Sequence, residues 1–241
     1  MKKYFSVIFL LLIFLASILT TDQSVKVMKR VLFSQNNKID EKQITIVIDP
    51  GHGGRDPGKV GVNNALEKDI NLSVALKLKN LLEQNDIQVI MTREDDVGLY
   101  SESDSNKKNA DLKARVDMIH SSNADMAISL HQNSFTEEYV KGAQVFYYSE
   151  SKQGKKLAEI LQAQIVDTMQ DGNHRKAKSN NNYFMLTKTN CPLVIVECGY
   201  LSNIKESELL INEDYQEKMA WGIHLGILQF INKGGLENPD L

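Results

Sequence analysis

The sequence predicts an α/β fold, a single domain whose mixed, largely parallel sheet is flanked by helices. Two observations predict it. From Ile44 onward, short β-branched runs alternate with longer stretches whose apolar residues recur at helical spacing. No internal repeat and no change of compositional regime interrupts that alternation, so it belongs to one domain over residues 43–233. The 241 residues are 42% hydrophobic and 24% charged, which is ample for one buried core.

Residues 44–49 (ITIVID) read as a strand buried on both faces. Ile70, Val74, Leu78 and Leu81 then mark a helix over residues 66–84. Asn85 and Asp86 turn the chain into a strand at 87–92. Leu112, Val116 and Ile119 mark the next helix, followed by a strand at 126–130. A strand at 143–148 leads into a helix carrying Leu157, Ile160, Leu161 and Ile165. A last strand spans 193–196, and a long helix over 214–231 closes the domain, with residues 234–241 as a tail.

The amino-terminal part follows another logic. Lys2 and Lys3 precede an apolar run from Tyr4 to Leu19, the pattern of an export segment over residues 1–21. That run is shorter than the ~20 residues that span a bilayer, and no clean small-x-small site follows it. A cleaved signal and an uncleaved anchor both fit, and either places the domain outside the cytoplasm, with membrane contact only through this segment. Residues 22–42 read as a polar, lysine-rich linker. The formal net charge of −3 gives no basic surface for nucleic acid. Cys191 and Cys198 flank an extended segment; at ~3.3 Å per residue they stand roughly 23 Å apart, beyond the ~7 Å reach of a disulfide. Two free thiols are expected.

The chemistry gathers at strand ends. The first strand runs into Asp49-Pro50-Gly51-His52-Gly53-Gly54, where glycines around a histidine allow unusual backbone angles and close approach of a ligand. No phosphate-binding glycine pattern is present. His131 follows the strand at 126–130, and Glu197 continues an apolar strand in which a lone carboxylate is expensive to bury. Glu67 opens the helix after the glycine loop, a place that acidic residues also favour through the helix dipole. Sites in open α/β sheets form beyond the carboxyl ends of strands. Two histidines and a glutamate make a catalytic zinc shell, with a second glutamate as general base. His120, His174 and His224 lie away from strand ends and are expected not to be ligands. Cys198 with His131 offers a cysteine-nucleophile alternative, though a thiol in an apolar strand is more often a buried hydrophobe. Asn133 and Arg93 fit substrate-binding and structural roles equally. Residues 101–108 read as a solvated loop that, with Asn180-Asn181-Asn182, can border a groove.

The segments DPGHGGRDPG, ALEKDINLSVALKLKNLL, MTRED, LKARVDMI, ADMAISLHQNSF and CPLVIVECGYLSN occur in this order. Together they resemble the zinc-dependent N-acetylmuramoyl-L-alanine amidases of the Amidase_3 family. The resemblance implies a zinc ion held by His52, Glu67 and His131, with Glu197 as the catalytic acid and base. It implies hydrolysis of the amide between N-acetylmuramic acid and L-alanine in peptidoglycan. Periplasmic members of the family carry a helical plug over the site; only residues 149–156 are available for it here, so the site is expected to be open or controlled by an accessory protein. The short chain without wall-binding repeats is most similar to the germination-specific, spore-cortex type, which acts towards muramic-δ-lactam. A silent peptidoglycan-binding protein and a zinc peptidase acting on another amide are the alternatives.

Overall fold

The computed structural model describes residues 43–236; the export segment, the linker and residues 237–241 lie outside the described residues. Six strands form one sheet in the order β2-β1-β3-β6-β4-β5. β1 (Thr45–Pro50), β2 (Gln88–Met91), β3 (Met126–Asn133) and β6 (Leu193–Tyr200) are parallel. β4 (Gln144–Tyr147) runs antiparallel to β6 and parallel to the two-residue β5 (Lys178–Ser179). The mixed, largely parallel sheet is the one the alternation predicts.

Both faces of the sheet are covered, which is why its strands are almost wholly apolar. Ile46 and Ile48 of β1, Ile128 and Leu130 of β3, and Val194 and Val196 of β6 enter one core. There they meet Leu78 of α1 (Glu67–Glu83), Leu161 of α3 (Lys152–Met169) and Ile227 of α6 (Glu213–Asn232). The intervening Val47, Ala127 and Ile195 enter a second core with Val116 of α2 (Lys107–Ser122) and Met185 of the short α4 (Phe184–Lys188). Alternate side chains of each strand therefore serve opposite layers. Side-chain caps start several helices: Asn106 accepts from the Asn109 amide, Ser151 from Gly154 and Asn212 from Tyr215.

The fold departs from the sequence reading in length and in small elements. β3 runs two residues past His131 and β6 three past Glu197, because both strands keep their ladder through the polar residues. β5, α4 and α5 (Ile204–Leu210) are additional; the first two are too short to show a period. No helix among the described residues is long and apolar enough to cross a membrane.

One buried ion pair organises the carboxyl end of β1. Arg115, 2% exposed, donates from Nη1 to Asp49 Oδ1 at 2.6 Å and to the Pro50 carbonyl at 2.9 Å. Its Nη2 reaches the His52 carbonyl at 2.7 Å and its Nε reaches Asp111 Oδ2 at 2.6 Å. Asp49 also accepts from the hydroxyls of Thr92 at 2.7 Å and Ser129 at 2.6 Å. Burial alone would push the Asp49 carboxyl up, but the Arg115 charge and these hydroxyls outweigh it and hold the group at about 2.

Arg115→Met leaves Asp49 buried and uncompensated, so unfolding free energy should fall by ~3–5 kcal/mol, read as a lower urea midpoint. The depressed Asp49 value also sets an acid limb. Its contribution is complete above the ordinary 3.8 and is lost as pH falls towards about 2. Urea midpoints taken through that window should fall less steeply in Asp49→Asn than in the wild type.

Candidate metal centre and its cleft

The site is assembled from the turn after β1, the carboxyl-terminal halves of β3 and β6, and the first turn of a helix. Leaving β1, the chain puts His52 in the left-handed region at φ 64° and follows it with glycines that also have positive φ. This strained turn is held by arginines. Arg93 donates to the Pro50 carbonyl at 3.0 Å and to the Gly51 carbonyl at 3.1 Å, while Arg115 takes the His52 carbonyl. Gly51 is required by close approach, since a Cβ there would overlap the imidazole of His131. Gly58, at φ 69°, lies so near Glu67 and His52 that a Cβ would meet both side chains.

His52, Glu67 and His131 offer ligand atoms that all lie within 4.8 Å of one another, and among the described residues they form a group able to hold a metal ion. Glu67 Oε1 stands 3.2 Å from His52 Nε2 and 2.9 Å from His131 Nδ1. The outer nitrogen of His52, Nδ1, pairs with Asp56 Oδ2 at 2.8 Å, which fixes the ring and turns Nε2 inward. Backbone amides complete the carboxylate: Gln132 N–H donates to Oε1 at 3.0 Å and Lys59 N–H to Oε2 at 2.7 Å. Burial would raise the Glu67 carboxyl, but the two histidines outweigh burial and hold it far below the usual carboxylate range.

Glu197 is treated differently by the fold. It is the register partner of His131 on the neighbouring parallel strand, so the two side chains project from the same face. Beyond this pair the ladder slips, and Asn133 pairs with Tyr200. Glu197 is 7% exposed and its Oε2 has no hydrogen-bond partner among the described residues. Its Oε1 lies 3.5 Å from the hydroxyl of Tyr183, whose ring is fixed edge-on against Phe146 at 5.7 Å. Burial pushes the Glu197 carboxyl up to about 7.

These groups line one cleft of roughly 540 Å³, whose rim includes Lys59, Lys108, Asn133, Asn182 and Phe184. The sequence-selected His52, Glu67, His131 and Glu197 all open into it. Arg93 does not: it is buried, and its guanidinium is spent on the carbonyls of Pro50, Gly51, Lys68 and Asp95. His120, His174 and His224 lie outside the metal-binding group. Cys191 and Cys198 are free thiols, and burial pushes Cys198 up to about 12, which removes the thiolate a nucleophile needs. Sequence reasoning missed Tyr183, which stands in no motif, and Arg115, visible there only within LKARVDMI.

Known proteins resemble this chain over most of the described domain. The family model Amidase_3, described as N-acetylmuramoyl-L-alanine amidase, matches residues 46–229. A germination-specific N-acetylmuramoyl-L-alanine amidase of Bacillus subtilis (strain 168) is 37% identical over 193 residues, covering 79% of this chain and 81% of that protein. The CwlD amidase of Clostridioides difficile, solved in complex with the GerS lipoprotein, is 41% identical with a TM-score of 0.77. That match covers 79% of this chain and 100% of that one. An N-acetylmuramoyl-L-alanine amidase of Clostridium difficile 630 is 35% identical at a TM-score of 0.70, over 80% of this chain and 98% of that one. The chain belongs to the Amidase_3 family of N-acetylmuramoyl-L-alanine amidases.

Proposed function

We propose that this amidase uses zinc, held by His52, Glu67 and His131, with Glu197 as its catalytic base and acid. The observation that carries the reading is the pairing of a His₂Glu group with a second, unpaired and buried carboxylate on the adjacent strand. Two imidazoles and one carboxylate are the donors of a catalytic zinc site, and the Asp56 contact behind His52 is the outer support such ligands carry. Zinc bound there supplies Lewis-acid activation of water and of the scissile carbonyl.

The chain's own residues do the rest. Glu197 Oε2 takes a proton from the attacking water, and the same carboxyl then gives it to the departing amine of L-alanine. A carboxyl raised to about 7 by burial is suited to both transfers near neutral pH. The Tyr183 hydroxyl lies 3.5 Å from Oε1, and Oε2 has no hydrogen-bond partner among the described residues. Glu67 is saturated by histidines and amides and holds no proton to exchange.

The wider setting follows from the relatives. The germination-specific name of the Bacillus relative supports action on spore-cortex peptidoglycan, towards muramic-δ-lactam, outside the cytoplasm. The GerS complex of the Clostridioides amidase supports an accessory protein for this chain too. Between β4 and α3 the chain spends only residues 148–151, so no helical plug lies there.

Digestion of purified cortex muropeptides should release stem peptides with a free L-alanine amine, identified by mass, from intact glycan. A chelator should stop release and zinc should restore it; cleavage at another amide would make the chain a peptidase. Glu197→Gln should retain zinc at the wild-type level while turnover falls roughly 10²–10⁴-fold. His131→Ala should lose metal and turnover together, measured by metal analysis of the same preparations. A fully active Glu197→Gln protein would remove the assignment.

A further inference from the structure

The lining of the cleft carries two lysines. Lys59 and Lys108 line it, both exposed. Neighbouring cations are engaged: Lys68 pairs with Asp96 at 2.6 Å, Lys107 with Glu102 at 3.6 Å and Arg55 with Glu102 at 3.2 Å. Lys59 and Lys108 form no ion pair with a described residue. Asp56, which also lines the cleft, binds His52 through Oδ2 and feels Lys108 only at longer range, without an ion pair. No acidic residue stands in the first turn of α2 to offset Lys108.

Lys59 is also placed with little freedom at its root. Its amide donates to Glu67 Oε2 at 2.7 Å, and its carbonyl accepts from the Glu67 amide at 3.0 Å. The backbone of Lys59 is thereby fixed beside Glu67, and its exposed side chain lines the cleft. Of the residues that α4 and the segment before it contribute to the lining, Asn182, Phe184 and Met185 carry no charge. In a chain of net charge −3, two exposed cations in one cleft, neither closed into an ion pair with a described residue, offer a place for an anion.

The two halves of the substrate differ in the same respect. The muramic carboxyl is consumed in the amide, so the glycan beside the scissile bond is neutral, whereas the stem peptide bears free carboxylates. We propose that Lys59 and Lys108 form a carboxylate-binding subsite for the stem peptide. The carboxylates of the peptide then lie over the glycine loop and the start of α2. This placement rests on the amidase reading of the cleft.

The test uses two muropeptide substrates identical except that the stem carboxylates are free in one and amidated in the other. Wild-type protein should show the lower KM for the free acid. Lys59→Gln and Lys108→Gln should each raise that KM about threefold, and the double variant roughly tenfold, as expected for solvent-exposed charge pairs. kcat should be retained and KM for the amidated substrate unchanged. Added salt should raise KM for the free acid alone, and Lys→Arg at both positions should restore it. Equal KM values for the two substrates in the wild type, or equal losses in the variants, would overturn the subsite. Binding of both substrates, followed by calorimetry, reads the lysines even without turnover. Failure to cleave either substrate counts against the amidase reading, and loss of the binding difference counts against this one.

Discussion

Two guanidinium groups hold the turn on which the rest of the site depends. At the end of β1 the carbonyls of Pro50, Gly51 and His52 all point into protein, and Arg93 and Arg115 between them take all three. Unpaired, each buried carbonyl would be a substantial penalty. Paired, they stabilise a backbone in which His52 occupies a left-handed conformation that non-glycine residues avoid. A lysine could not replace Arg115, because the planar fork reaches Asp49, Asp111 and two carbonyls at once. Asp49 balances the charge, and Thr92 and Ser129 tie it to the end of β2 and to β3.

From that fixed turn, the sheet distributes two carboxylates into opposite states. Glu67 reaches the site from α1 and finds histidines and amides on both oxygens, so it is held as an anion. Glu197 comes from the middle of a strand buried on both faces and finds one distant hydroxyl. Burial therefore dominates and lifts it to about 7. Environment pushes the two groups apart, one held as an anion and the other raised towards neutral pH. The parallel register does the placing, since His131 and Glu197 are direct partners across β3 and β6.

Much of this was legible in the residues. Strong periodicity exposed α1 and α6, and unbroken apolar runs exposed the central strands, because each buries a continuous face. His52, His131 and Glu197 were legible because they interrupt apolar or glycine-rich surroundings, whereas Glu67, in Ala65-Leu66-Glu67-Lys68-Asp69, stood out only through the family resemblance. Strand ends were not: Gln132, Asn133 and Gly199 look like loop residues, yet their backbone stays in the ladder. α5 did carry a signal, Asn203 three residues before Glu206, and Asn203 accepts from the Glu206 amide. Glu206 then spends its carboxylate on the amides of Gly142 and Tyr200, a long-range role no local pattern announces. Arg93 shows the same limit, since only three-dimensional contacts distinguish a carbonyl clamp from a substrate arginine.

The remaining cleft is less constrained, and that contrast has a physical basis. Chemistry needs fixed distances, so the metal-binding group sits on strands and a helix start and is braced by buried hydrogen bonds. Recognition of a polymer tolerates looser geometry, and its candidates are exposed side chains on loops and helix ends. Residues 101–108 illustrate the division. Most of that stretch is solvated, with Glu102 engaging Arg55 and Lys107 at its surface, yet Lys108 at its end enters the cleft. Asn182 arrives from the opposite side in the same manner. The buried frame can therefore hold its geometry whatever the exposed rim side chains do.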